Sequence, residues 1–122
     1  MAIVNTKLMD ITSLVYNKML AASASSSVYI NPAETTTYIS DIELHNTNSV
    51  SAALVLYLVP DNGLSLGIPE LSSEIIRCTL APYDTIWIEP KYPYILEDLN
   101  EAIFGIATLS GVNITVRGGK KL

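Results

Sequence analysis

His45 is the only histidine in this 122-residue chain and Cys78 the only cysteine. A general base needs a nucleophile and an orienting partner, and a metal needs several ligands. His45 has no second His and no Cys near it, and Asp41 and Glu43 share its face only through strand alternation, so it reads as a turn-flanking residue without a role. Cys78 can form neither an intrachain disulfide nor a thiolate cluster and reads as a buried thiol. The many serines include no Gly-x-Ser-x-Gly elbow. Glu97, Asp98 and Glu101 in "LEDLNEA" have the donor type for calcium or acid–base work. A solvated acidic loop is the commoner fate of such residues. "GGKKL" at the end lacks the spacing of a phosphate loop and reads as a polar tail, and Asn113-Ile114-Thr115 is a glycosylation triplet set within a strand pattern. No catalytic, cofactor-binding or metal-ligating residue is assigned, and the expectation is a protein that is not an enzyme and needs no cofactor.

The remaining candidates are apolar and aromatic. Tyr83, Trp87, Tyr92 and Tyr94 lie close in sequence beside Pro-rich turns, where aromatics build protein-binding or sugar-stacking platforms or cap a core. Leu64, Leu66 and Ile68 sit in a Gly- and Pro-containing loop, residues 62–73, which reads as a contact surface.

These residues must be positioned by a chain of one-domain length. It is 49% hydrophobic and only 16% charged, so part of its apolar surface is expected to meet another subunit. The formal net charge of -5, with scattered basic residues, argues against a phosphate-tracking surface and against nucleic acid as a partner. The apolar run from Ala52 to Val59 falls far short of the roughly 20 residues a spanning helix needs, so no membrane partner is expected. The N-terminus lacks the pattern of a secretory signal, which points to synthesis in a reducing cytoplasm.

Alternation and turn residues place strands at residues 36–44, 51–59, 74–80, 85–89, 102–108 and 112–117, with a short one at "SVYIN". The last of these alternates Val112, Ile114 and Val116 against Asn113, Thr115 and Arg117, the pattern of a sheet wet on one side. The pattern predicts an all-β, antiparallel β-sandwich of jelly-roll or other Greek-key type spanning residues 27–122. The first 26 residues form an N-terminal arm in this reading, with a further strand or a short helix as alternatives.

One strand stands apart. In "HNTNSVSAALVLYLVP" both faces are apolar, with Ala53, Val55, Tyr57 and Val59 on one and Leu54, Leu56 and Leu58 on the other. One face can fill the core and the other needs a second cover. The expectation is a homo-oligomer, a trimer for preference, packed through Leu54, Leu56 and Leu58.

The stretches "TKLMDITSLVYN", "VYINPAETTTYI", "LHNTN", "VLYLVP", "LAPYDT" and "ITVRGG" together resemble small β-sandwich structural proteins of tailed bacteriophages. The resemblance covers most of the chain and rests on strand-and-turn signatures. It implies a non-enzymatic virion component such as a capsid decoration or cement protein, bound to the major capsid protein or other virion proteins after assembly in the host cytoplasm. A neck or tail component and a carbohydrate-binding module on a tail appendage are the alternatives. "NKMLAASASSS" after residue 16 is longer than the spacer the family pattern implies.

Overall fold

The structure, a computed structural model, describes residues 11–20, 22, 24–63 and 65–121, with the side chains of Ile11 and Thr12 excepted. Nine strands are described: β1 (Ile11–Met19), β2 (Ser26–Ile30), β3 (Thr36–Asn46), β4 (Ala52–Val59), β5 (Glu74–Leu80), β6 (Thr85–Ile88), β7 (Tyr94–Leu96), β8 (Ala102–Ala107) and β9 (Val112–Lys121). Every pairing is antiparallel. The first sheet runs β1-β9-β3-β6, with β7 also on β3, and the second runs β2-β8-β4-β5. β6 pairs with Ile42 to His45 and β7 with Thr37 to Ile39, so the two act as one strand interrupted by Pro90 and Pro93. Most connections cross between the sheets, and this order is that of an eight-stranded jelly roll. The all-β sandwich read from the sequence is the fold, and its Greek-key type is thereby settled. Among the described residues no helix is long and apolar enough to cross a membrane.

Of the alternatives left open for the first 26 residues, a further strand is what residues 11–19 form. β1 lies on β9 through nine consecutive register pairs, from Ile11 against Lys121 to Met19 against Asn113. The arm expected at residues 1–10 lies outside the described residues. Of the tail expected at "GGKKL", residues 118–121 are strand instead, since β9 continues through Lys121. Gly118 permits this: a Cβ there would stand 1.7 Å from the Tyr38 carbonyl oxygen, beside the register shift between Ile39 and Asp41. That bulge also resets the phase of β3. Thr37 and Ile39 point inward before it, and Ile42, Leu44 and Asn46 after it, so Tyr38 does not share the inner face of Ile42 and Leu44 as simple alternation suggests.

The core between the sheets holds Ile39, Ile42, Leu44, Leu54, Leu56, Ile103, Ile114 and Val116. Leu54 and Leu56, expected to face another subunit, are 1% and 0% exposed, and Leu58 packs at the margin of the same cluster. The neighbouring strand explains the direction. β8 sets Ile103, Gly105 and Ala107 opposite Leu58, Leu56 and Leu54. The space a Cβ on Gly105 would need is already taken by the terminal carbons of Leu20 and Leu56, at 2.7 and 2.9 Å. The leucine face therefore interlocks inside the sandwich, and its face cannot serve a trimer without opening the fold.

Two buried asparagines close the ends of the sandwich. Asn31, before β3, donates from Nδ2 to the carbonyls of Thr35 (2.7 Å) and Asp98 (3.0 Å) and accepts from Thr37 Oγ1 at 2.6 Å. Asn46, ending β3, donates to the carbonyls of Val50 (2.9 Å) and Ala81 (3.1 Å), and its Oδ1 accepts from the backbone N–H and side chain of Asn48, both at 3.0 Å. The "HNTN" turn and the β5–β6 turn are thus tied to one side chain. Among the described residues no buried side-chain polar atom lacks a partner. Replacing Asn46 with Ala leaves several carbonyls and the Asn48 amide to find water. The expected loss is about 2–4 kcal/mol in urea unfolding, against a clearly smaller loss for Asn48→Ala.

Candidate functional site

Two outward faces remain, and they differ in kind. On the outer face of the first sheet, Arg117 lies between Asp41 (Nη1 to Oδ1, 3.1 Å) and Glu43 (Nη2 to Oε1, 2.6 Å). Trp87 donates from Nε1 to the same Glu43 oxygen at 3.2 Å. His45 continues the row, with Nδ1 at 2.6 Å from Thr85 Oγ1. The Arg117 guanidinium holds the Glu43 carboxyl below its ordinary range, with the Trp87 hydrogen bond assisting and partial desolvation opposing. These groups satisfy one another. Among the described residues no group of three or more His, Cys, Asp or Glu side chains could hold a metal.

The other chemical candidates are spent in the same way. Glu101 Oε1 accepts from the backbone N–H groups of Glu97 (2.8 Å) and Asp98 (2.6 Å), so the acidic loop is braced by its own carboxylate. Cys78 lies on β5 opposite Leu54, and burial pushes its thiol up, away from the reactive thiolate.

On the outer face of the second sheet the two central strands are apolar, while β5 sets Arg77 and Thr79 beside them, opposite Val55 and Ala53. β4 presents Val55, Tyr57 and Val59 there, and β8 sets Ile106, Phe104 and Ala102 directly opposite them. Val59, Ala102 and Phe104 are buried in a cluster of their own, with Tyr57 against it. The loop after β4 contributes at this end: a Cβ on Gly67 would meet the Pro60 carbonyl oxygen at 2.3 Å and Val59 Cγ1 at 2.9 Å. Farther along, Val55 and Ile106 are only partly buried, and with Ala53, Arg77, Thr79 and Thr108 they line an open cleft of about 480 Å³. This is the outward apolar side of β4. The two-faced character of β4 identified it, but alternation does not say which of two apolar faces turns outward.

The expected contact residues fall into separate places. Leu66 and Ile68 are exposed on the 62–73 loop with Leu71, and Leu64 lies outside the described residues. Tyr83 is 64% exposed in the β5–β6 turn, Trp87 60% exposed on the polar face, and Tyr92 74% exposed in the β6–β7 loop, beneath Lys91 Nζ at 5.7 Å from its ring centroid. Tyr94 instead packs against the core. No ring contact joins these four; the one described aromatic pair is Tyr16 with Tyr29, edge to face at 5.6 Å. Sequence proximity suggested a platform, and the fold distributes it.

The sign of the Glu43 shift sets a pH dependence. Because its folded pKa is depressed, its contribution is present above the ordinary glutamate range and is lost as pH falls through the lowered value. Thermal melts of wild type and Glu43→Gln should therefore differ at neutral pH and converge in acid. A difference that persists unchanged below that range contradicts the assignment.

No protein-family model matches the chain, and no curated protein matches it. Among solved structures the chain is similar to one from Bacillus endospore appendages, described as a novel family of disulfide-linked pili, with 4% identity and a TM-score of 0.49 over 91% of this chain and 85% of that one. It is also similar to a chain of the T13 IBDV viral particle, with 9% identity and a TM-score of 0.42 over 90% of this chain and 30% of the other. Neither likeness bears on function.

Proposed function

We propose that this chain is a virion structural protein, a capsid decoration or cement protein that docks on the outer lattice of a shell built by a major capsid protein. It is made in the host cytoplasm and resides in the virion. The observation that carries the reading is the contrast between its two outer faces. The first sheet shows water the ion-pair network of Asp41, Glu43 and Arg117 at its centre, and the second shows Val55, Tyr57 and Ile106 at its centre beside an open, mainly apolar cleft with Arg77 on its wall. A face of the second kind is costly to leave wet and gains by docking. The 62–73 loop, with Ile68 and Leu71 exposed, reaches the Val59 end of that sheet through Gly67.

Further support comes from the phage-like motifs, and from the mutual satisfaction of the polar side chains that chemistry would need. In this role each contact is weak and repeated over a lattice, so that avidity replaces individual affinity. The chain self-associates in this reading. The trimer preference rested on the leucine face and passes to no particular symmetry. A neck or tail location would use the same faces in a ring. A glycan-binding role would use Tyr83, Trp87 and Tyr92, which are exposed but do not meet as rings.

Quantitative mass spectrometry of purified source particles tests the reading. The expected copy number scales with the shell lattice; a handful of copies, or none, contradicts it. Ile106→Lys should fold as wild type while its recovery on particles falls by at least about tenfold, the loss of one central apolar contact worth about 2 kcal/mol. Unchanged recovery would remove the second sheet from the interface.

A further inference from the structure

Sandwich edges are templates for further pairing, and proteins ordinarily blunt them. Three of the four edges among the described strands are blunted. β6 and β7 have four and three residues, separated by a segment with Pro90 and Pro93. β2 has five residues and a register shift between Ser27 and Tyr29, and its Ser27 carbonyl accepts from Lys18 Nζ. β5 faces a register shift between Leu56 and Tyr57 and carries the Glu74–Arg77 ion pair. β1 is different: it has nine residues, no proline, and an unbroken register on β9. Among the described residues no strand pairs with its free side. Along that edge Val15 is 70% exposed, Met19 48% and Tyr16 39%.

The sequence of this edge complements itself. An antiparallel partner related by a two-fold axis keeps outer face on outer face, so opposed residue numbers must sum to an even value. With the axis at Val15, all nine residues overlap. Ser13 then opposes Asn17, Leu14 opposes Tyr16, Val15 opposes itself, and position 11 opposes Met19. Polar meets polar and apolar meets apolar throughout. Moving the axis one residue either way shortens the overlap and sets Val15 against Asn17 or Ser13. Lys18 is the one Asp, Glu, Lys, Arg or His in the strand, and the Val15 register sets it against position 12. The two Lys18 side chains are then about 20 Å apart at roughly 3.4 Å per residue, beyond a Debye length of about 8 Å at physiological salt.

We propose that β1 pairs with β1 of a second copy of this chain, antiparallel about a two-fold axis at Val15, joining the two first sheets into one continuous sheet. The occupant is a second copy because the edge matches its own sequence in one register and carries no net repulsion in it. The contact covers Val15 and Tyr16 and completes hydrogen bonding along the edge. It deepens the assembly reading above and rests on it: such dimers would link neighbouring lattice positions while leaving the apolar face of the second sheet free to dock.

The test is light scattering after size exclusion on the full chain, with three samples. Wild type should run as a dimer that dissociates on dilution. Val15→Lys and Val15→Glu should each run as monomers with unchanged circular dichroism, since Val15 is exposed within the single chain, and mixing them should restore the dimer by setting opposite charges across the axis. A wild-type monomer at every concentration overturns the pairing. So does a wild-type oligomer that Val15→Lys leaves intact, or a mixture of the two variants that stays monomeric. In each of those cases the copy number on particles still decides the assembly reading separately.

Discussion

Strand β3 must run the full height of the sandwich and have its backbone satisfied at both ends, and two buried carboxamides make that possible. Asn31 gathers the Thr35 and Asp98 carbonyls at one end, and Asn46 gathers those of Val50 and Ala81 at the other. Loops far apart in sequence are thereby fixed on the strand that lies between β9 and the β6–β7 pair. Thr37 spends its one hydroxyl hydrogen on Asn31, which leaves it to accept from Tyr29 at 3.2 Å. The core chemistry is that of closure, and each group in it is used.

From that closure the two outer faces follow. The inner sides of β4 and β8 interlock through Leu56, Leu20 and Gly105, so the residues between them must turn outward. On the second sheet those outward residues are Val55, Tyr57 and Ile106, and on the first they are Asp41, Glu43 and Arg117. A molecule with an ion-pair network at the centre of one face and apolar strands at the centre of the other has a built-in orientation on a surface. Its polar side chains are committed to one another: His45 to Thr85, Glu43 to Arg117 and Trp87, Glu101 to loop amides.

Much of this was legible in the sequence, for physical reasons. The alternation of Val112, Ile114 and Val116 predicted a half-wet strand, and the turn residues between apolar runs predicted an all-β sandwich, because a period of two leaves a direct trace. What alternation cannot encode is which of two apolar faces is the inner one; that depended on Gly105 across the sheet. Nor can it encode a phase reset, so the bulge after Ile39 was invisible, and Gly118 was read as tail because its partner, the Tyr38 carbonyl, is 80 residues away. The asparagines were visible only as turn formers, and their burial is a property of the assembled ends.

In the proposed docking the outer face of the second sheet, not that of the first, meets the shell. Hydroxyl-radical footprinting of the chain free and on particles reads this residue by residue. The account predicts that Tyr57, Val55 and Ile106 become protected on the particle while Trp87 stays as reactive as in the free chain. Protection of Trp87, Tyr83 and Tyr92 with no change at Tyr57 and Ile106 would contradict it.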